Sequence, residues 1–241
     1  MALHFIDDAA ADAGDTLTLT GAEAHHAASV RRVRVGEAVT VTDGRGVWLD
    51  GECASVAPRE VVVRVLDRRD VPPPATRLVL VQALAKGDRD ELAVQAATEL
   101  GVDEIVPWQA ARSVSRWEGQ KAEKGRVRWA TIVREAAKQA HRAWLPEVTP
   151  VTTTAALAQR AAGERVLVLE PTADTPLSAV ALDGAESVVL VVGPEGGIAR
   201  EELERLDGAG ATRVRLGDTV LRTSTAGPAA IALVSARIGR W

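Results

Sequence analysis

Apolar and polar residues alternate with a period of two in two runs near the start of the chain, at residues 16–20 and 38–42. Two further short apolar-rich runs follow, at residues 47–50 and 60–66. Such runs predict half-buried β-strands, and short strands at this spacing are typical of a small β-barrel. The one segment here with a helical pattern is residues 21–33. Prolines at positions 72–74 can extend neither a helix nor a central strand, so the predicted barrel domain covers residues 1–72.

From residue 77 the pattern changes to continuous apolar runs separated by longer segments of helical periodicity. The apolar runs predict strands at residues 77–84, 104–108, 165–170, 187–193 and 212–216. The segments between and after them predict helices at residues 89–100, 122–142, 199–208 and 224–238. Apolar strands that alternate with helices are typical of a parallel sheet covered on both faces. The second predicted domain, residues 75–241, is therefore an α/β domain.

Composition narrows the class of protein. The chain is 46% hydrophobic and 26% charged, with a net charge of −4, which is typical of a globular protein. No apolar run approaches the ~18 residues of a membrane-spanning helix, and the first residues lack the pattern of a signal peptide. The single cysteine, Cys53, cannot form an internal disulfide. We therefore expect a cytoplasmic protein that does not bind a membrane.

Several kinds of chemistry lack their sequence motifs. His25 and His26 are adjacent, while His4 and His141 have no His or Cys at metal-ligand spacing, so no metal site is expected. The glycines fit neither the dinucleotide-binding fingerprint nor the phosphate-binding loop. No nucleophile elbow is present, and Cys53 lies in a strand-rich region where a structural role is more common. With six Trp, one Phe and no Tyr, the chain cannot supply an aromatic platform for stacked bases.

Three loops follow predicted strands in the last third of the chain. We call them the first loop (residues 170–172), the second loop (residues 193–197) and the third loop (residues 216–223). Ligands of open α/β sheets bind beyond the carboxyl ends of the strands, and glycines allow the backbone to approach a ligand closely. Each loop alone could be a simple turn, but together they predict a binding site.

Basic residues are concentrated in the middle of an acidic chain. Residues 112–142 contain nine basic and three acidic residues. These cations could contact RNA phosphates, with Arg112, Lys124, Arg128 and Arg142 as candidates, although a solvated helix face would show the same pattern. A second candidate patch in the predicted barrel domain contains Arg31, Arg32 and Arg34.

The second and third loops carry a family resemblance. Gly193-Pro-Glu-Gly-Gly197, Leu216-Gly217 and the run Val-Leu-Arg-Thr-Ser-Thr-Ala at residues 220–226 resemble the C-terminal signature of the RsmE family. Members of this family are 16S ribosomal RNA uracil-N3 methyltransferases of the SPOUT superfamily. Further matches occur in order at His25-His26, residues 30–32, Gly36, residues 86–89, residues 98–107, Arg112-Ser113, Trp129, residues 135–139, Arg142 and Pro146. The resemblance therefore covers nearly the whole chain.

This resemblance implies a fold, a reaction and partners. The expected fold is a PUA-like barrel followed by a SPOUT domain with a parallel sheet and a trefoil knot. The expected reaction is methylation of N3 of uridine 1498 in 16S ribosomal RNA, with S-adenosylmethionine as the methyl donor. The resemblance also implies a homodimer whose active sites lie at the subunit interface, and a target within the 30S subunit.

The resemblance also indicates which residues form the site. The expected cofactor contacts are Leu169, Glu170, Pro171, Gly193, Pro194, Gly196, Gly197, Leu216, Gly217, Val220, Leu221 and Thr223. A cation near the uracil carbonyls would stabilise the anion that forms when N3 loses its proton, and we assign Arg222 to this role. Glu195 is a candidate proton acceptor. Two alternatives stay open: Arg222 pairs structurally with a carboxylate such as Glu195, or Glu195 caps a backbone or orients an arginine.

Three positions differ from the pattern common among relatives. Many relatives have Glu where Ser224 stands, Lys where Ala96 stands, and an Arg before the aromatic pair where this chain has Leu3-His4-Phe5. Two other functions remain as alternatives. One is a ribose 2′-O-methyltransferase of the SPOUT superfamily, and the other is a non-catalytic RNA-binding assembly protein.

Overall fold

The computed structural model describes residues 2–241, which form two compact units. Unit 1 contains the chain as far as Pro73 together with Ala137–Leu145, and unit 2 contains Pro74–Ala136 and Pro146–Trp241. Within the described residues, no helix has the length and apolar character needed to cross a membrane.

Unit 1 is built on one five-stranded sheet. Its strands are β1 (Leu3–Ile6), β2 (Thr16–Thr20), β3 (Ala38–Thr42), β4 (Val47–Ala57) and β5 (Glu60–Asp70), and its short helix is α1 (Gly21–His25). The sheet order is β1-β3-β4-β5-β2, so β1 and β2 are edge strands and the PUA-like sheet is a half-barrel rather than a closed barrel. Strand β2 shows the predicted alternation, because Leu17 and Leu19 are buried in the core while its threonines are exposed.

Four elements of unit 1 differ from the sequence prediction. Strand β1 was not predicted, and β4 and β5 extend well beyond residues 50 and 66. The added part of β5 is polar on both faces, so it shows no alternation. It is held by the antiparallel ladder to β4 and by the Arg69–Asp50 ion pair at 2.7 Å. The predicted helix at 21–33 is only α1 followed by a single π-turn, His26–Val30.

The segment that follows the basic helix belongs to unit 1. Helix α3 (Gln120–Gln139) ends three residues before the predicted position 142. Beyond it, the N–H of Leu145 donates to the Gly44 carbonyl at 2.9 Å, and the Trp144 indole N–H donates to the Val71 carbonyl at 2.9 Å. These bonds require extended chain, and His141 adopts a positive φ of 51° at the change of direction. The contacts are long-range, so periodicity could not predict the helix end.

Unit 2 contains one six-stranded parallel sheet in the order β11-β9-β10-β6-β7-β8. The strands are β6 (Arg77–Ala83), β7 (Glu104–Trp108), β8 (Glu147–Val148), β9 (Arg165–Leu169), β10 (Ser187–Val192) and β11 (Thr212–Val214). The helices, besides most of α3, are α2 (Arg89–Glu99), α4 (Thr154–Ala161), α5 (Arg200–Gly208) and α6 (Thr223–Arg237). The predicted α/β domain is confirmed, while β8 and α4 were not predicted.

The strand register brings the candidate loops to one edge of the sheet. Strand β10 lies between β9 and β6, and its last residue, Val192, pairs with Leu169 and Gln82. Val214, the last residue of β11, also pairs with Leu169. All four carboxyl ends therefore share one edge, where the first, second and third loops leave the sheet.

Candidate active site

A cavity of about 420 Å³ opens at the carboxyl edge of the unit 2 sheet. Its walls are mostly aliphatic, with a small number of charged and hydroxyl groups, as is usual for small-molecule sites. The lining residues are Arg89, Leu169, Glu170, Pro171, Val192, Gly193, Pro194, Glu195, Gly197, Ile198, Val214, Leu216, Thr219, Val220, Leu221, Arg222, Thr223 and Ala226. All three loops contribute to it.

Most of the residues expected from the sequence lie in this lining. Ten of the twelve residues expected to contact the cofactor line the cavity, together with Arg222 and Glu195. The two that do not line the cavity are Gly196 and Gly217, which are each next to a lining residue. Both are exposed on the loops that form the wall.

The second loop is attached to its surroundings from two sides. Glu195 Oε1 accepts hydrogen bonds from the Lys86 backbone N–H at 3.0 Å and from Arg89 Nη1 at 3.1 Å. Arg112 Nη1 donates to the Gly196 carbonyl at 3.1 Å. These contacts bring the segments after β6 and β7 against the second loop, so its shape is set before any ligand binds.

A buried hydroxyl attaches the second loop to α6. Thr223 Oγ1 donates to the Gly193 carbonyl at 2.9 Å and accepts from Gln82 Nε2 at 2.9 Å. Gln82 is fully buried near the end of β6, where its neighbours Val81 and Ala83 are apolar. Gly193 is needed here because a Cβ at this position would lie 2.6 Å from Ile198 Cγ1. The bond from Thr223 therefore fixes the start of α6 against the end of β10.

The third loop has few internal contacts. Within residues 2–241, no backbone N–H from Leu216 to Arg222 donates to a protein acceptor. Val220 is 79% exposed although it lines the cavity. The loop ends where the Arg222 carbonyl accepts from the N–H groups of Thr225 and Ala226 at the start of α6. Its backbone donors are thus available to a ligand.

Arg222 lines the cavity without a protein partner. Across the described chain, no carboxylate or carbonyl accepts a hydrogen bond from its guanidinium. The alternative in which Arg222 pairs with Glu195 is not found, because Glu195 pairs with Arg89 instead. A free guanidinium in a partly enclosed cavity can stabilise negative charge on a bound group.

Six lining residues were not expected from the sequence. They are Arg89, Val192, Ile198, Val214, Thr219 and Ala226. The strand-end rule alone would have found Val192 and Val214, which are the last residues of β10 and β11. Arg89 follows β6, whose end lies at the same edge, so the loop after β6 carries the same strand-end signal as the other three.

The candidate RNA contacts differ in their exposure and in whether a carboxylate already pairs with them. Arg31, Arg32, Arg34 and Lys124 are exposed, and no described carboxylate forms an ion pair with them. By contrast, Arg128 is paired twice with Glu91, through Nε at 2.5 Å and Nη2 at 2.7 Å. Arg142 is half-buried in unit 1.

Comparisons with known proteins identify the family. An RNA methyltransferase PUA domain model matches residues 19–66, and an RNA methyltransferase domain model matches residues 72–235. The chain is 44% identical over 246 residues to ribosomal RNA small subunit methyltransferase E of Mycobacterium bovis, covering 100% of the chain and 94% of the relative. The chain belongs to the ribosomal RNA small subunit methyltransferase E family.

Other members of the methyltransferase E family support this assignment. The Bacillus subtilis enzyme is 33% identical over 232 residues, covering 91% of the chain and 90% of the relative. The crystal structure of the Neisseria gonorrhoeae enzyme, solved bound to S-adenosyl methionine, is 26% identical and has a TM-score of 0.87 over 98% of both chains. The expected RNA methyltransferase class and the PUA-like plus SPOUT-like architecture are confirmed.

His4 lies at one of the positions where this methyltransferase E chain differs from many relatives. His4 is buried in unit 1, where it stacks between Trp48 and His141 with ring centroids 4.7 and 5.0 Å away. Burial, aided by His141, lowers the pKa of His4 to about 4, so this residue is a neutral core group.

Within residues 2–241, no group of three or more His, Cys, Asp or Glu side chains is arranged to hold a metal ion.

Proposed function

We propose that the protein transfers a methyl group from S-adenosylmethionine to N3 of uridine 1498 in 16S ribosomal RNA. One observation carries the proposal: the free guanidinium of Arg222 lines a cavity at the carboxyl edge of the parallel sheet. The family assignment supports the class of reaction, and the cavity supports its location in unit 2.

The cavity residues fit the cofactor. The volume of about 420 Å³ lies within the range of ~300–1,000 Å³ that is common for ligand pockets. Aliphatic side chains such as Leu169, Ile198 and Leu221 would contact the adenine ring. The unpartnered N–H groups of the third loop, together with the Thr219 hydroxyl, would bind its polar edges. Such contacts would explain why the third loop carries part of the C-terminal signature of the family.

The protein has to orient the base and help N3 to lose its proton. S-adenosylmethionine supplies a methyl group already activated by a sulfonium. Arg222 would donate to a uracil carbonyl and stabilise the anion that remains when the N3 proton passes to solvent water, which lowers the pKa of N3 and makes the nitrogen more nucleophilic. Its backbone is fixed at the start of α6 while its side chain is free, so it can reach a base at the cavity mouth.

Glu195 serves mainly to hold the second loop. Its Oε1 already accepts two hydrogen bonds, one from the Lys86 backbone and one from Arg89. Both bonds attach this oxygen to the segment after β6. We therefore favour the arginine-orienting alternative, in which Glu195 keeps Arg89 at the cavity wall.

We propose that the substrate is bound as part of the 30S subunit, in the cytoplasm. Arg31, Arg32 and Arg34 in unit 1, and Arg112 and Lys124 in unit 2, would contact phosphates, because each is exposed. Arg128 contributes less, since it is already paired with Glu91. The overall charge of −4 restricts RNA contact to local patches.

The family resemblance also leads us to propose a homodimer and a trefoil knot. Helix α6 is apolar on most of its faces, and Ala229, Ala232 and Leu233 remain only partly buried within one chain. Leu92 on α2, which packs against α6, is 50% exposed. A partner subunit would cover these side chains, and light scattering at micromolar concentration should give the mass of a dimer.

Mass spectrometry of 16S ribosomal RNA tests the proposal. In a strain that lacks the protein, we expect uridine 1498 to be unmethylated and the purified protein with S-adenosylmethionine to restore 3-methyluridine. A methylated ribose at any position would instead identify a 2′-O-methyltransferase. No change in any nucleoside, together with no heat of cofactor binding in calorimetry, would indicate a non-catalytic assembly protein.

A further inference from the structure

Three cations of the basic helix α3 are paired with carboxylates within the protein. Arg126 pairs with Glu123 at 2.6 Å, and Arg128 pairs with Glu91 at 2.5 Å. At the end of the helix, the buried Lys138 pairs with Glu23 at 3.2 Å. A cation already paired with a carboxylate gains less from a phosphate, because the existing pair must first be broken. The basic run therefore overstates the surface available to RNA.

A different group of cations lies outside the cavity of unit 2. We call Lys86, Arg112 and Arg116 the cationic rim. All three are exposed, and none lines the cavity. Their neighbouring acids in the sequence are Asp88 and Glu118, and neither forms an ion pair with the rim among the residues described. The rim thus presents unneutralised positive charge.

Backbone contacts bring the two rim segments together. The Ser115 hydroxyl donates to the Ala85 carbonyl at 2.7 Å, which places the segment after β7 beside the segment after β6. Lys86 is held to the second loop by its own N–H, and Arg112 by its Nη1. Arg116 Nη2 donates to the Ala111 carbonyl at 3.2 Å, which leaves its other N–H groups for a ligand. Lys86 and Arg112 are therefore held against the second loop, beside the cavity, and Arg116 is attached to the same segment as Arg112.

We propose that the cationic rim binds successive phosphates of the RNA strand that presents the target base to the cavity. The inference rests on the proposed function. Because the rim lies outside the cavity, its ligand is a polyanion that passes across the mouth rather than the cofactor inside. Single-stranded RNA fits this role, since a base must leave its stack to enter a cavity. The new assignments are Lys86 and Arg116.

The salt dependence of RNA binding tests the proposal. The probe is a fluorescein-labelled single-stranded RNA with the 16S sequence around uridine 1498, titrated with the full-length protein at about 50 to 200 mM KCl. The slope of log affinity against log salt is negative, and each lost phosphate contact reduces its magnitude by ~0.7 for a single strand. The double variant Lys86→Gln/Arg116→Gln should therefore make the slope shallower by about 1.4. Arg126→Gln is the matched control, because its cation is already paired, and should leave the slope unchanged.

Three results would overturn the assignment. The salt slope could stay unchanged in the double variant, or it could become shallower by the same amount in Arg126→Gln. The double variant could also keep RNA binding while losing affinity for whole 30S subunits, which would assign the rim to a ribosomal protein. Calorimetry with S-adenosylmethionine distinguishes failure of the rim assignment from failure of the proposed function, because the rim variants should bind the cofactor like the unchanged protein. If the unchanged protein does not bind the cofactor, the proposed function fails, but the salt dependence of RNA binding can still be measured.

Discussion

The second and third loops line the same cavity but are held in opposite ways. The second loop is fixed by Lys86, Arg89, Arg112 and Thr223, through hydrogen bonds of 2.9–3.1 Å. The third loop has no backbone N–H from Leu216 to Arg222 bound to a described acceptor. One wall is thus formed before ligands bind, whereas the other has free donors and a free guanidinium.

This difference suggests a division of labour within the site. A pre-formed wall reduces the entropy lost when a ligand binds, so the second loop should contribute mainly to affinity. A segment with few internal bonds can adjust its groups around a ligand, so the third loop should contribute mainly to the reacting arrangement. Substitutions in the two loops should therefore affect different measured quantities.

The largest effect is expected at Arg222. Loss of one preorganised stabilising group typically lowers the rate by ~10²–10³, so Arg222→Ala should slow single-turnover methylation by about that factor. Cofactor affinity in calorimetry should change little, because the third loop binds through its backbone. Asp218→Asn is the matched control, since Asp218 is exposed on the same loop but does not line the cavity. A near-normal rate in Arg222→Ala would show that the residue is structural.

A smaller effect, on affinity, is expected from a glycine in the fixed loop. In Gly193→Ala the new Cβ would lie 2.6 Å from Ile198 Cγ1 and displace a residue of the cavity wall. Overpacking of this kind costs about 1–3 kcal/mol of folding free energy. Because the displaced residue belongs to the cavity wall, we expect cofactor affinity to fall ~10-fold, which corresponds to about 1.4 kcal/mol.

The matched variant in the third loop is Gly217→Ala. Gly217 has a φ of 72°, but an added Cβ would meet no heavy atom within 4 Å. Alanine is strained at this φ, but no backbone N–H from Leu216 to Arg222 is bound to an acceptor among the described residues. We therefore expect the loop to adjust and the affinity to change by less than ~3-fold, which corresponds to under 1 kcal/mol. Equal losses of affinity in the two glycine variants would contradict the contrast between the loops.

Glu195→Gln should have only a modest effect on cofactor affinity. Its pair with Arg89 is partly exposed, with side-chain exposures of 23% and 47%, so it contributes at most about 1 kcal/mol, or ~5-fold in cofactor affinity. The saturated rate should remain near normal. Glu201→Gln, an exposed change on α5, serves as the control. If Glu195 were the proton acceptor, the saturated rate would fall ~10²-fold or more, and its pH dependence would change.

The sequence predicted the parts of the fold that depend on local pattern. Continuous apolar strands such as β10 and alternating strands such as β2 show their periodicity directly. Strand β1 and the extended half of β5 are stabilised by their neighbours in the sheet rather than by pattern. The end of α3 depends on bonds from residues 143–145 to distant parts of unit 1. The knot stays a prediction from the family.

The candidate site was predictable to the extent that it follows strand ends. The rule that ligands bind beyond parallel strands, together with the family resemblance, located most of the cavity lining. The charge pairs could not be predicted, because they join residues far apart in the chain. Arg128 and Glu91 are 37 positions apart, and Arg89 and Glu195 are 106 apart. Only the structure shows that Arg128 is paired while Arg222 is free.

Amide hydrogen exchange tests the contrast between the loops most directly. In the free protein, amides from Leu216 to Arg222 should exchange at nearly unprotected rates, because they have no acceptor among the described residues. The Gly197 amide, which donates to the Pro194 carbonyl at 2.9 Å, should exchange more slowly. Adding S-adenosylmethionine should slow exchange in the third loop at least ~10-fold, as expected for newly formed hydrogen bonds of about 1.4 kcal/mol. Third-loop amides that are already protected in the free protein would contradict the contrast between the loops. Third-loop amides that stay unprotected at saturating cofactor would contradict their proposed role in binding it.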